Sequence, residues 1–328
     1  MEYRTLGRTG LKVSLLSMGG LFVSKIAGTE RRRAYDATHR ALELGVNYVD
    51  TAPSYLDSEE VLGEALEGVP QPYIISTKLG GRPDPFNAQD KDALRFSLEE
   101  SLRLLKRDAV DILMVHEPDR PGQWDWWSDW DRFYGPVTDV LQEFKEQGLI
   151  RFTGLGGTTA YEMARIIATG AYDVVLTAFN YSLLWREAGI AVIPEAKRQN
   201  MGIVIGSPLQ QGALSRRYDD GVNCGAPWLS PPRRAQYKAL YAHLDELGLP
   251  LAEVCIRWVI SNPDISTTLM GARSAEEVEA NVAAVNAGPL PADVLARLQE
   301  IADMVPFRPS CEPFGLPWGG GYRGPGHG

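Results

Sequence analysis

Three short apolar runs in the first third of the chain each stop on an ionisable residue. Tyr48-Val49-Asp50 halts on an acid and turns through Pro53 to present Tyr55; Tyr73-Ile74-Ile75-Ser76-Thr77 closes on Lys78; Val110 to Val115 closes on His116. A strand that ends on an ionisable group delivers that group to one edge of a sheet. Three such strands in succession collect an acid, a phenol, an amine and an imidazole there. That set can move a proton: an ammonium stabilises a neighbouring phenolate, an acid keeps the ammonium charged, and an imidazole can hydrogen-bond the oxygen that gains or loses the proton. Taken singly, each residue has a structural account, Asp50 and Lys78 as an ion pair and Tyr55 and His116 as fillers of polar gaps. Four arriving at one sheet edge are read together as a catalytic group of Asp50, Tyr55, Lys78 and His116.

The elements that must position this group follow a regular order. Thr5 to Val13 carries glycine-flanked turn chemistry and reads as a small hairpin that plugs one end of the fold. Val13 to Met18 reads as a strand before Gly19-Gly20. The segment Glu30 to Leu44 repeats Ala34, Ala37, Ala41 and Leu44 at helical spacing and stops at Gly45. Strand-like and helix-like stretches then alternate: Tyr48 to Asp50 with Ser58 to Leu66, Tyr73 to Thr77 with Asp90 to Leu105, Val110 to Val115 with Val137 to Gln147. Phe152 to Leu155 precedes Thr159 to Thr169, Val174 to Ala178 precedes Ile190 to Gln199, Gly202 to Gly206 precedes helices at Arg233 to Leu247 and Leu251 to Ser261, and Ser266 to Met270 precedes Ala275 to Val285. Strands that are apolar throughout need helices on both faces of a parallel sheet, and eight such units favour closure. The expectation is a (β/α)8 TIM barrel with an N-terminal β-hairpin plug and long active-site loops, in which strand ends carry the chemistry.

No linker divides the chain, so residues 1–328 are read as one domain. Two segments interrupt the alternation. Gln123 to Tyr134 concentrates Trp124, Trp126, Trp127 and Trp130 directly after the strand that carries His116. Residues 306–328 form a Gly- and Pro-rich tail, read either as a cover for the mouth or as a loosely ordered end.

A formal charge of −9 argues against nucleic acid and anionic membranes as partners, since both need clustered positive charge. Arg31-Arg32-Arg33 sits where a helix begins and reads as a solvated face. Cys224, Cys255 and Cys311 are odd in number and widely spaced, which points to a reducing compartment and no metal site. The chain opens without a signal-peptide pattern and contains no run of membrane-spanning length, so a cytoplasmic location is expected. Asn180-Tyr181-Ser182 is read as a chance match to a glycosylation acceptor. Gly319 to Gly324 matches G-x-G-x-x-G, but no helix follows, so it is not read as a dinucleotide fingerprint.

From the hairpin through the last barrel helix the chain resembles the aldo-keto reductase family. The resemblance rests on Asp50 to Tyr55 as Asp-Thr-Ala-Pro-Ser-Tyr, on Lys78 and His116 at two strand ends, on Gly206-Ser207-Pro208-Leu209, and on Gly271-Ala272-Arg273-Ser274 leading to Asn281. It implies hydride transfer to or from a nicotinamide with Tyr55 as general acid or base. Lys78 would tune that phenol, Asp50 would hold Lys78, and His116 would bind the substrate oxygen. The resemblance also implies that the cofactor phosphates lie along Ser207, Pro208, Leu209, Gly212 and Leu214, the adenosine near Gly271, Arg273, Glu277 and Asn281, with Gly20, Asp50 and Asn180 as further contacts. Glu277 stands where NADP-dependent relatives often carry an arginine. A carboxylate repels the ribose phosphate, so the cofactor is read as NAD, with Arg273 leaving NADP possible.

The chain departs from the family pattern at Gly156-Gly157, where a Ser-Asn pair often grips the nicotinamide amide, at Leu176 in place of a glutamine, and at Gly206 in place of a stacking aromatic. These departures, with Phe179-Asn180-Tyr181-Ser182, resemble the branch of NAD-dependent aldose and galactose 1-dehydrogenases. That branch implies a sugar or sugar derivative as the small-molecule substrate. Tyr55, His116, Trp124, Trp126 and Trp127 would line its site, indole faces packing on the sugar's C–H face. Two other accounts remain open: a broad NADPH-dependent aldehyde or ketone reductase, and a non-catalytic regulatory subunit that senses nicotinamide, against which the intact four residues argue.

Overall fold

In a computed structural model, residues 1–120, 122–225 and 229–308 are described. The expected tail therefore lies, beyond residue 308, outside the described residues, as does Cys311. The chain opens with an antiparallel hairpin of β1 (Tyr3–Thr5) and β2 (Lys12–Ser14), Tyr3 opposite Ser14 and Thr5 opposite Lys12. Its turn drives Leu6 into an apolar cluster with Tyr48, Ile112, Met114, Val174 and Val204. Gly202 is flush against this plug: a Cβ there would stand 2.5 Å from Leu6 Cγ. Arg4 ties the hairpin down by donating to the carbonyls of Ile260 at 2.9 Å, Asn262 at 2.9 Å and Ile265 at 2.8 Å.

The barrel follows as β3 (Leu16–Gly19), α1 (Arg31–Glu43), β4 (Tyr48–Asp50), α2 (Ser58–Ala65), β5 (Ile74–Leu79), α3 (Lys91–Leu105), β6 (Val110–His116), α4 (Pro136–Glu146), β7 (Ile150–Gly157), α5 (Ala160–Ile167) and β8 (Val174–Ala178). It continues with α6 (Glu187–Ile190), α7 (Val192–Arg198), β9 (Gly202–Gly206), α8 (Asp219–Cys224), α9 (Pro231–Leu247), α10 (Leu251–Ile260), β10 (Thr267–Met270), α11 (Ala275–Asn286) and α12 (Ala292–Asp303). All neighbouring barrel strands are parallel, and β10 pairs with both β9 and β3, which closes the ring. The expected eight-stranded barrel with its hairpin is thus the observed fold.

Local chemistry accounts for the helices. Asp90 caps α3 by accepting from Asp92 N at 2.9 Å, and the stripe of Leu94, Leu98, Ser101 and Leu105 is buried while Leu102 is only partly so. Prolines occupy the first turns of α4 and α9. Three details differ from the sequence reading. The first expected strand is split between β2 and β3. The stretch around Pro194 forms two short helices rather than one, and α12 completes a second apolar cluster in which Leu298 and Ile301 meet Leu183, Tyr237 and Leu240.

Candidate active site

Side chains alternate along a strand, so every second residue of β4, β5 and β6 faces the barrel interior. The inward set is Tyr48 and Asp50, Ser76 and Lys78, and Ile112, Met114 and His116. Register does the rest: Asp50 lies opposite Ser76, Lys78 opposite Met114, and His116 opposite Gly156, so each strand carries its polar group two residues further toward the mouth. A relay runs through this stack. Tyr48 OH donates to Ser76 Oγ at 2.8 Å, Ser76 Oγ donates to Asp50 Oδ1 at 2.6 Å, and Lys78 Nζ donates to Asp50 Oδ2 at 2.6 Å and to the Thr51 carbonyl at 2.7 Å. The Lys78 ammonium stands 5.0 Å from the centre of the Tyr55 ring, and the His116 ring meets that ring edge-on with centroids 5.8 Å apart. Asp50, Tyr55, Lys78 and His116 are brought together.

Gly156 makes this possible from the inside. A Cβ there would lie 3.3 Å from Lys78 Cε, so a side chain would crowd the lysine stem. Gly157 points the other way, and a Cβ on it would collide with the Asp119 carboxylate and Met163. The departure from the Ser-Asn pattern thus has a steric reason on each side of the strand.

Burial and charge fix the protonation states. Burial opposes a charge on Lys78, but Asp50 and then Tyr55 outweigh it and hold the amine above its ordinary value, as ammonium. Burial, and after it the Lys78 charge, holds His116 well below the ordinary imidazole range, so the ring is neutral at neutral pH. For Tyr55, burial raises the phenol and Lys78 lowers it, with Asp50 and Glu117 adding to the rise, and the net direction is upward. The sequence reading anticipated an acidified phenol. In the folded chain desolvation outweighs the ammonium, and Tyr55 stands as a protonated phenol beside a cation and a neutral imidazole. Such a set can give a proton to a carbonyl oxygen, or take one from a hydroxyl once the phenol has ionised.

The other residues singled out from the sequence divide. After β9, Ser207, Gln210, Gln211 and Gly212 all take left-handed backbone angles, with φ of 53°, 49°, 50° and 105°. Gln210 donates to Ser182 Oγ at 2.7 Å while its Oε1 is buried without a partner. Pro208 and Leu209 belong to this turn. Leu214 does not: its amide donates to the Leu209 carbonyl at 3.1 Å and its side chain is buried with Trp185 and Val222. At the start of α11, Arg273 N donates to Glu277 Oε2 at 2.8 Å, and the Arg273 guanidinium lies 5.9 Å from the Phe22 ring, which itself covers Gly271. Asn281 Nδ2 lies 4.0 Å from Met270 Sδ. Gly20 is pressed against α2, its carbonyl accepting from Ser58 Oγ at 2.7 Å. Asn180 is buried and donates to the Ala178 carbonyl at 3.0 Å, a cap on β8.

The tryptophans are not equivalent. Trp126 donates Nε1 to the His116 carbonyl and Trp127 donates Nε1 to the Pro118 carbonyl, each at 2.9 Å, and both rings are buried. With their faces covered and N–H groups committed, they support the loop rather than line a site, which corrects their expected substrate role. Trp124, partly exposed, is the one that packs beside His116, centroids 5.5 Å apart, with its edge on Phe86. Sequence reasoning missed Ser76, Phe86 and the acid Glu117. The parity that Ser76 shares with Lys78 is the signal that could have found it.

Among the described residues no three of His, Cys, Asp and Glu stand together as metal ligands, and no helix is long and apolar enough to cross a membrane. Comparison with known proteins supplies the family. Residues 16–303 match the aldo/keto reductase family model. An L-galactose dehydrogenase of Arabidopsis thaliana is 32% identical over 298 residues, covering 87% of this chain and 88% of that protein. A putative voltage-gated potassium channel subunit beta of Schizosaccharomyces pombe is 27% identical, covering 94% of this chain and 95% of that one. A holo-form aldo-keto reductase from Bacillus halodurans superposes with a TM-score of 0.75 at 27% identity, covering 92% of this chain and 96% of that one. With the barrel, the buried lysine pair and a family match across nearly the whole chain, the protein belongs to the aldo/keto reductase family and is a nicotinamide-dependent oxidoreductase.

Proposed function

We propose that the chain transfers a hydride between NAD and a sugar or sugar-like hydroxyl or carbonyl compound, with Tyr55 as general acid and base. The observation that carries this reading is the wholly buried Asp50–Lys78 pair set beneath the Tyr55 ring, with His116 at the ring's edge. The nicotinamide, when bound, supplies or accepts the hydride. Everything else falls to the chain. In the reductive direction Tyr55 gives its proton to the oxygen that becomes a hydroxyl, Lys78 stabilises the phenolate left behind, Asp50 keeps Lys78 charged, and His116 hydrogen-bonds the same substrate oxygen. The upward direction of the Tyr55 pKa favours the acid role at neutral pH.

The residues present fit a dinucleotide. The left-handed angles at Ser207 and from Gln210 to Gly212 turn the backbone sharply beside a buried, unpartnered Gln210 oxygen, and the half-exposed Arg273 guanidinium stands before α11, 3.9 Å from Glu277. Ser207, Pro208, Leu209 and Gly212 would hold the phosphates, and Gly271, Arg273, Glu277 and Asn281 the adenosine, with Gly20, Asp50 and Asn180 around the nicotinamide end. Glu277 disfavours a ribose phosphate and can accept from a free ribose hydroxyl, which supports NAD; Arg273 is the counterweight. Glu277→Arg is expected to shift relative affinity toward NADP by about tenfold or more, read by titrating both cofactors. An unchanged ratio shows that Glu277 does not select the cofactor.

Two features support the sugar: the similarity to a protein named L-galactose dehydrogenase, and Trp124 with its ring beside His116. Tyr55→Phe should lower turnover by about 10²–10⁴-fold or more while nicotinamide binding persists. Unaltered turnover in that variant ends the mechanism. The similarity to a potassium channel subunit favours a second reading, a nicotinamide-sensing regulatory protein. It predicts that nicotinamide absorbance stays constant against every sugar and aldehyde in a panel.

A further inference from the structure

A second acid stands at the mouth, used by neither the proton relay nor the cofactor contacts. Glu117 follows His116 directly where β6 ends. Its backbone has φ of 51°, a left-handed conformation that residues other than glycine adopt at a cost and that recurs where a side chain has to be aimed. Its amide donates to the Gly156 carbonyl on β7 at 2.6 Å, which fixes that conformation. One carboxylate oxygen, Oε2, accepts from Thr158 Oγ1 at 2.7 Å and lies 3.7 Å from the Arg120 guanidinium. The other, Oε1, has no hydrogen-bond partner among the described residues, while the side chain keeps 14% of its surface open. The group is close enough to the reacting pair for its charge to act on both Tyr55 and Lys78. Thr158 thus anchors one oxygen of Glu117, while the other stays open to accept from a ligand.

We propose that Glu117 grips the hydroxyl groups on the substrate carbons next to the reacting one, which makes the site selective for uncharged polyhydroxylated carbonyl compounds and the corresponding alcohols. A carboxylate accepts from hydroxyls in charge-assisted hydrogen bonds and repels a substrate that carries its own acid. Thr158 and Arg120 hold one oxygen so that the other is presented. The inference rests on the reading of the Tyr55 group as the reaction centre and names the substrate class for that site.

The test compares glyceraldehyde with propanal, which differ only in two hydroxyls, in the parent and in Glu117→Gln, each supplied with NADH. The kcat/KM for glyceraldehyde is expected to fall about ten- to a hundredfold relative to that for propanal, chiefly through KM. An equal loss on both compounds marks Glu117 as structural and overturns the proposal, as does no loss on either. Turnover of neither compound by the parent refutes the reaction-centre reading itself and takes this inference with it. Should Glu117→Gln melt well below the parent, Glu117→Asp, with the same charge on a shorter stem, is measured instead, and an unchanged glyceraldehyde-to-propanal ratio there overturns the proposal equally.

Discussion

Lys78→Met separates stability from chemistry at the centre of the barrel. Lys78 and Asp50 are both almost fully covered, and among the described residues the 2.6 Å contact between them is the only ion pair either makes. Methionine fills the stem's volume but leaves the Asp50 carboxylate with just the Ser76 hydroxyl, deep in protein. Removing one partner of a buried pair costs about 3–5 kcal/mol, because the orphaned charge keeps its desolvation penalty and loses its compensation. For a chain of 328 residues that corresponds to a fall in melting midpoint on the order of 4–7 °C. Asp50→Asn added to Lys78→Met removes the orphaned charge, and most of that loss should return. Turnover should not return: without the ammonium nothing stabilises the Tyr55 phenolate, and a loss of about 10²–10⁴-fold is expected in both variants. Thermal melts and a nicotinamide absorbance assay read the two effects independently. A single variant that melts with the parent, or a double variant that melts no higher than the single, refutes the electrostatic account of the pair. A double variant that regains turnover refutes the catalytic one.

Two further outcomes follow from the geometry. Because burial holds His116 neutral while an unfolded imidazole titrates near its ordinary value, the unfolded state binds the extra proton and stability falls as pH drops below about 6.5, by up to about 1.4 kcal/mol per pH unit. His116→Gln should flatten that part of the curve, and parent and variant curves that run parallel between about pH 5 and 6.5 contradict it. Gly63 on α2 faces the end of α3, where an added methyl would strike the Leu104 carbonyl. Gly63→Ala should therefore lower the denaturant midpoint by the equivalent of about 1–3 kcal/mol, although alanine is the better helix former; a raised midpoint shows the helices move apart easily.

The barrel and its reactive end were legible because both rest on the period of the strands. Apolar runs broken by amphipathic helices have few alternatives to a closed parallel sheet, and Asp50, Lys78 and His116 fall at the ends of those runs. What the sequence hid depends on distance. Whether a tryptophan stays open to a ligand or donates to a carbonyl is decided by its burial and by where its N–H ends up, and Trp124, Trp126 and Trp127 differ in both. The phenol of Tyr55 needed a comparison of burial against a charge, which spacing does not provide. Leu214 lies five residues past Leu209, yet the left-handed turn between them folds its amide back on Leu209 and buries its side chain with Trp185 and Val222. For α12 the signal was present in Val294, Leu298 and Ile301, at helical spacing behind Pro291.

The grip of Arg4 has a consequence for how the molecule is made. The three carbonyls it holds come 256 to 261 residues later in the chain. At ordinary rates of synthesis they leave the ribosome on the order of ten to fifty seconds after the arginine does. Throughout that interval the hairpin lacks this anchor, and β3 has an unpaired edge where β10 will later dock. A growing chain that stalls before β10 therefore displays an open strand edge of the kind that templates aggregation. The last barrel strand and the first few residues are each other's signal that translation has run far enough for the ring to shut.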